Sequence, residues 1–550
     1  MKAVLAIAIQ TARSSIRSKV FFILLIIIAA TTALLPDSVM GDATLAGEFK
    51  IRINYSIAII TFLTGMAALW VGTVNIAGEV EGYQIHMVVT KPVSDFQLWL
   101  GKFAGVASLS LFILYVSSAY IYWRLDSEVE SIREKLVDKS GRLLVEAKGK
   151  LDDTQNQILG FELSALLNFI GKYATEEEKA FFQELNGVES PEKETIRSRL
   201  MPLVEEFREF DELHDEVLIG RNFYSWERPD FKHLAVERIQ NGLASAGLED
   251  FDSTNIDMKV NEMARSLESK AGSLPPATAN QPQPTPKIFM FDSLPEVKDD
   301  VPVFIRLRLF AGDSLDQKPR NTMIGFSLVD EGGKPLGQIL PVGLKTTEFY
   351  SYRIPTAALE DRTKLGVAIF NYDHMGRRRN NTKPPKELVI QAKDGPYLLI
   401  GETTFFSNYW RCILLVGLFI AFLVIVGTAA GLCFSTPVAV MLSVSYIIIG
   451  VGISSVLSTE SQYEVEKVHG DTAKEYEKEG ITGAYFKLLK NTMVSAETFS
   501  RMENVASGKS IEWPLILKVF LYDFLLKGLP LILLGLYALH RRELGLVIRK

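Results

Sequence analysis

Few residues in this sequence are spaced for catalysis. The six histidines, His86, His214, His233, His374, His469 and His540, are scattered. None falls in an HExxH pattern or a Cys/His spacing suited to zinc. No Gly-x-Ser-x-Gly turn presents a serine nucleophile. Ser507-Gly508-Lys509-Ser510 ends like a phosphate-binding loop, but the first glycine of such a loop would fall where Glu503 stands, and no strand precedes it. Arg377-Arg378-Arg379 has the charge to hold an anion, yet reads as a solvated loop tip. The informative chemistry is mechanical. Residues 78–102, GEVEGYQIHMVVTKPVSDFQLWLGK, begin with Glu79 and Glu81, acids that suit a helix N-terminus. Tyr83, Ile85, Met87, Val88 and Val89 supply apolar contacts, Lys91-Pro92 stops any helix, and Gly101-Lys102 opens the next apolar run. A short amphipathic helix fixed between two spans is a lever that presses into a groove on a soluble partner. An ordinary loop lying on lipid is the other reading, and the residues alone favour neither.

The elements that would hold such a lever are membrane spans. The chain is 48% hydrophobic, and the apolar residues concentrate in the first and last quarters while the middle is charged and rich in proline. A span needs about 20 apolar residues. Val20–Leu35, Ile53–Gly78 and Phe103–Trp123 qualify as three spans. Cys412–Thr459 is too long for one crossing and is broken by Ser435-Thr436-Pro437, with proline suited to the first turn of a new helix, so it reads as two. A sixth runs from Pro514 to Leu539 and contains Lys518, Asp523 and Lys527. The lysines reach the interface by snorkelling, and Asp523 and Lys527 sit at i,i+4 spacing. Val20–Leu35 lacks a small-x-small cleavage site, so it reads as a span and not as a signal peptide.

Basic residues set the orientation. Lys2, Arg13, Arg17, Lys19, Lys91, Lys102, Arg541, Arg542, Arg549 and Lys550 fall on one side, against Lys50 and Arg52 in the short loop 36–52. Both termini are therefore expected in the cytoplasm and residues 124–408 outside it. The net charge of −6 does not suggest a nucleic-acid partner. Cys412 and Cys433 would stand about 30 Å apart on a helix at 1.5 Å per residue, too far to pair.

The expected fold is an α-helical polytopic bundle of six transmembrane helices with an inserted α+β extracytoplasmic region. Residues 1–123 form the first membrane part: an amphipathic entry helix, spans 1–3 and segment 78–102. Residues 124–272 read as helical, with apolar spacing in Val129, Ile132 and Leu136 and again in Ile196–Ile219 and Leu234–Ser269. Residues 273–287, with Pro275, Pro276, Pro282, Pro284 and Pro286, read as a stiff linker. In 288–404 the period changes to two: Val303, Ile305, Leu307 and Leu309 alternate along Val301–Phe310, and Glu331-Gly332-Gly333-Lys334-Pro335 marks a hairpin. Short strands at Tyr350–Ile354, Leu365–Tyr372, Leu388–Gln391 and Tyr397–Phe405 complete a small β-sandwich. Residues 405–550 form the second membrane part, with spans 4–6, an outer loop at 458–513 and a basic tail.

Segment 78–102 resembles the coupling segment of the type-2 superfamily of ATP-binding-cassette permeases, in which a Glu-rich start, an apolar run, Lys-Pro and Gly-Lys precede the third span. Arg13-Ser14-Ser15-Ile16-Arg17-Ser18-Lys19-Val20-Phe21-Phe22 resembles that family's amphipathic entry to the first span. Ser435-Thr436-Pro437-Val438-Ala439-Val440 resembles its turn between the fourth and fifth spans, and His540-Arg541-Arg542-Glu543-Leu544 its closing basic motif. Ala484–Leu489 and Ser507–Trp513 are similar to the outer segment before its last span. The resemblance covers 1–123 and 405–550 and leaves 124–404 outside it. It implies a permease subunit in a bacterial cytoplasmic membrane, mostly an exporter, paired with a second permease chain. ATP would be bound by a separate ATPase subunit, so no cofactor is expected in this chain and the chain is not itself an enzyme. The ATPase would meet Glu79, Glu81, Gly82, Tyr83 and His86, while Lys91, Pro92, Gly101 and Lys102 set the lever's angle. A membrane sensor or mechanical relay with a ligand-binding outer domain is the alternative, and an anchored ectodomain enzyme a third that lacks convergent acid, base or metal groups.

Overall fold

The structure is a computed structural model of the 550-residue chain. It describes all residues except 1, 18, 39–43, 83–92, 149–159, 180–192, 228–229, 247–252, 277–284, 296, 298–300, 312–320, 355–358, 360–361, 373–386, 392–393, 447, 450–498, 500 and 542–550. Most of the described chain is helical, with small antiparallel sheets in the middle. It divides into two compact units, residues 1–220 with 403–550, and residues 221–402.

The first unit opens with α1 (Lys2–Arg17) and α2 (Lys19–Ser38). The pair is apolar enough for one crossing but is bent by 76° between Lys2–Arg17 and Phe22–Leu34. Among the described residues four helices are each long and apolar enough to cross a membrane: α3 (Leu45–Glu81), α4 (Asp95–Lys148), which qualifies over Asp95–Leu143, α9 (Phe405–Cys433) and α11 (Trp513–Arg541). The second half of the long apolar run appears as a shorter helix, α10 (Thr436–Tyr446), whose continuation lies largely outside the described residues. α9 is the centre of the bundle, with 83% of its most apolar stretch buried, against 22% for α11 at the periphery. Cys412 and Cys433 are not joined in a disulfide. Asp523 and Lys527 do pair, Nζ to Oδ1 at 2.7 Å. They stand where α11 widens into a π-helical stretch, Val519–Leu526, four residues before Pro530. Proline lacks the N–H that would complete the turn and clashes with the carbonyl four residues back, so the wide stretch relieves the conflict.

The expected break between membrane and outer parts at 123/124 is not a break. α4 runs from Asp95 to Lys148 without interruption. Beyond Arg124 its apolar stripe packs against α5 (Gly160–Tyr173) and α6 (Lys193–Leu213), burying Leu136, Phe169, Leu203, Phe207 and Phe210. Phe169 and Phe207 stack at 4.1 Å. This collar belongs to the membrane unit because helix and core are continuous with it. Arg133 braces the collar, donating to Tyr173 O at 2.8 Å and to Glu178 Oε2 at 3.1 Å. Burial pushes the Glu178 carboxyl up, but bonds from Arg133 and Thr175 outweigh it and hold the group below its ordinary value.

In the second unit, α7 (Phe231–Ala246) and α8 (Ser253–Ala271) precede most of the strands. The helical expectation for 124–272 fails at β1 (Ile219–Ser225), where Phe223 and Tyr224 favour a pleated strand. The linker expected from residue 273 begins instead as β2 (Ser273–Leu274), because Leu274 is buried opposite Leu388. The remaining strands are β3 (Lys287–Phe291), β4 (Val303–Arg308), β5 (Phe310–Ala311), β6 (Asn321–Val329), β7 (Leu340–Lys345), β8 (Phe349–Ile354), β9 (Leu365–Asn371), β10 (Leu388–Val389) and β11 (Tyr397–Thr404). They form three sheets, ordered β1-β11-β4-β8, β2-β10-β5 and β3-β9-β6-β7. Val303, Ile305 and Leu307, read from their alternation, are fully buried in one core with Phe289, Ile324 and Leu398. The hairpin at 331–335 forms between β6 and β7, with Asp330 and Lys334 closing the turn and Gly333 at φ 76°.

Candidate functional site

The ends of segment 78–102 are tied into the bundle, while its middle, with Tyr83, His86, Lys91 and Pro92, lies outside the described residues. α3 stops at Glu81, and Gly82 closes it by donating its N–H to Gly78 O at 2.8 Å. The chain returns at Val93, and α4 starts at Asp95. Glu79, in the last turn of α3, and Lys102, two turns into α4, form an ion pair, Lys102 Nζ to Glu79 Oε2. Their side chains are 16% and 5% exposed, which makes this a buried pair. Such a pair is costly to leave half-made, so it fixes the distance between the two spans at the base of the segment.

Glu81 reaches a different element. Its carboxylate accepts from Thr436 N at 2.7 Å and from Thr436 Oγ1 at 2.9 Å. A carboxylate at the first turn of α10 satisfies a backbone N–H that the helix cannot and complements the helix dipole. The turn Ser435-Thr436-Pro437 is thereby latched to the end of α3. Farther along α3, Thr73 Oγ1 meets Ser443 Oγ of α10 at 3.2 Å. Asn75 Nδ2 donates to Ser15 Oγ of α1 at 2.7 Å.

Gly101 has a packing role. A Cβ there would lie 2.7 Å from Ile7 Cβ, and one on Gly105 would lie 2.6 Å from Ala8 O. The two glycines, four apart on one face of α4, admit the backbone of α1. Ile7, Ile76, Leu98, Trp99, Ile425, Leu432 and Leu539 fill the interior at this end, drawn from α1, α3, α4, α9 and α11. Trp99 stacks on Phe103 at 5.3 Å. His540, at the far end of α11, comes within 3.3 Å of Asp95 Oδ2. Residues 542–544 of the closing basic motif, and Ala484–Leu489 and Arg377–Arg379, lie outside the described residues.

Among the described residues no three His, Cys, Asp or Glu side chains are grouped to hold a metal ion. The Ser507–Ser510 turn is packed, not open. Gly508 adopts φ 65°, and a Cβ there would lie 2.2 Å from Glu216 O. Lys509 O accepts from Asn408 Nδ2 at 2.9 Å. The two described ends of the segment thus meet each other through Glu79 and Lys102, meet α10 through Glu81, and meet α1 at Gly101 and Gly105. Asn75 and Thr436 were not singled out as site residues in the sequence. Asn75 carried the one available signal, an amide side chain within an uncharged apolar span.

No family model, curated protein or solved structure matches this sequence.

Proposed function

We propose that this chain is the membrane-spanning permease subunit of an ATP-binding-cassette transporter, taking mechanical input from a separate ATPase through residues 78–102. The observation that carries the reading is the buried Glu79–Lys102 pair together with the Glu81–Thr436 latch. They make both ends of an otherwise small segment rigid against three spans, as a lever requires and a lipid-resting loop does not. The four long apolar helices, the α1–α2 pair and α10 as the start of a further span would together make six crossings, with the segment and both termini in the cytoplasm of a bacterial cell. Two such chains would pair, each with one ATPase, and export is the favoured direction. The strands of 221–402 would then form a sandwich-like extracytoplasmic domain.

The relay alternative draws on one observation. Residues 221–402 have an apolar core of their own, more than a passive loop needs. In that reading the outer domain binds a ligand and signals inward, and no solute crosses.

The test is to purify the full chain from its native membrane and measure ATP hydrolysis in the purified complex. Wild type is expected to carry a cassette ATPase. Replacing both Glu81 and Tyr83 by Ala is expected to reduce its retention and stimulation at least tenfold. A wild-type chain that retains no ATPase, or a double variant that behaves as wild type, overturns the proposal.

A further inference from the structure

The periphery of the bundle holds an open cleft of about 700 Å³ between α9 and α11, lined by Leu414, Leu418, Trp513, Leu517 and Phe520 among others. Its walls are almost wholly apolar. Trp513 and Leu517 are 59% and 58% exposed. The volume falls within the roughly 300–1,000 Å³ of ligand sites.

Arg411 does not line this cleft but lies against its Trp513 wall. It precedes Leu414 and Leu418 by three and seven positions on α9, so the three share one face. Its guanidinium lies over the Trp513 ring at 5.2 Å, and one Nη1 proton goes to Ile511 O at 3.0 Å. Its Nε is buried and has no hydrogen-bond partner. Among the described residues no carboxylate lies within ion-pair distance of Arg411. Trp513 lies under the Arg411 guanidinium, and Tyr122 of α4 stacks on Phe405, six positions earlier in α9, aromatic residues of the kind that mark a membrane interface. Trp and Tyr gather at this depth because their rings are apolar and their polar atoms wet.

A guanidinium with no carboxylate partner among the described residues, beside an apolar cleft, asks for a ligand charged at one end and hydrocarbon at the other. Arginine's fork of donors matches phosphate oxygens. Lys518, exposed and next to Leu517, has a stem long enough to carry a second charge to the same depth. We propose that this cleft is a phospholipid site, with the lipid phosphate on Arg411 and one acyl chain between Leu414, Leu418, Leu517 and Phe520. The assignment needs only that α9 and α11 span the membrane and is independent of the coupling segment.

The test is native mass spectrometry of the full chain in mild detergent, titrated with phosphatidylglycerol and with diacylglycerol of the same chains. Wild type is expected to bind phosphatidylglycerol at least tenfold more tightly. Arg411→Gln is expected to weaken phosphatidylglycerol about tenfold, the loss of one charge-assisted contact, and to leave diacylglycerol unchanged. Arg411→Lys is expected to keep most of the preference, and Leu517→Trp, on the exposed wall, to weaken both lipids by filling the cleft. Should Arg411→Gln not fold, the wild-type lipid comparison and Leu517→Trp still decide. Equal binding of the two lipids, an Arg411→Gln variant with unchanged phosphatidylglycerol binding, or displacement of the lipid by inorganic phosphate alone overturns the proposal. So does a lipid-free dimer at every lipid concentration, which would mean that a second copy covers the cleft.

Discussion

The Glu79–Lys102 pair can be taken apart one partner at a time. Lys102→Met leaves a carboxylate 16% exposed, and Glu79→Gln leaves an ammonium only 5% exposed. Removing one member of a buried pair costs about 3–5 kcal/mol, most of it the desolvation of the charge left behind. Two independent losses would therefore sum to about 6–10 kcal/mol. The double variant leaves no charge, and replacing a buried pair by neutral groups of similar volume is often neutral or stabilising. The expected result is two damaged single variants and a double variant near wild type. Denaturant unfolding of the full chain in detergent, followed by the fluorescence of buried Trp99 three positions from Lys102, reads this out. If the two single effects simply add, or if each is below about 1 kcal/mol as for an exposed pair, the spans are not braced here. The lever would then lose its fixed base.

Gly105→Leu is expected to displace α1 from α4, since even a Cβ would lie 2.6 Å from the Ala8 carbonyl. Overpacking of this kind costs about 1–3 kcal/mol, and faster proteolysis within 2–17 in the folded protein would report it. Glu178 is held below its ordinary pKa, so its contribution to the collar is complete above the unfolded value, about 4.3, and is lost as pH falls through the lower folded value. Glu178→Gln is expected to lower the melting temperature at pH 7 and to make it less sensitive to acid below about pH 5; equal acid slopes in variant and wild type would refute the assignment.

The legible features were those set by local composition. The long uncharged apolar runs within 53–78, 103–123 and 412–433 lie in helices of membrane length, because hydrocarbon leaves the backbone no other partner. Alternation at Val303, Ile305 and Leu307 declared a strand for a similarly local reason: a period of two places every second side chain on one face. The helix has no break at 123/124, because hydropathy changes there while helix geometry does not. α4 continues on a 3.6-residue stripe, and only the collar core built with α5 and α6 shows that the extension belongs to the membrane unit.

Of the site, Glu79, Glu81, Gly101 and Lys102 were visible as a pattern of residue types on one short segment. That Glu79 meets Lys102, that Glu81 turns to Thr436 some 350 positions away, and that Gly101 and Gly105 serve α1 are long-range facts. Arg411 was invisible for the same reason: a single arginine in a sequence does not reveal whether a carboxylate will be folded against it. Charge, hydropathy and period are carried by each stretch of chain on its own, whereas pairing and close approach come into being only when separate stretches pack.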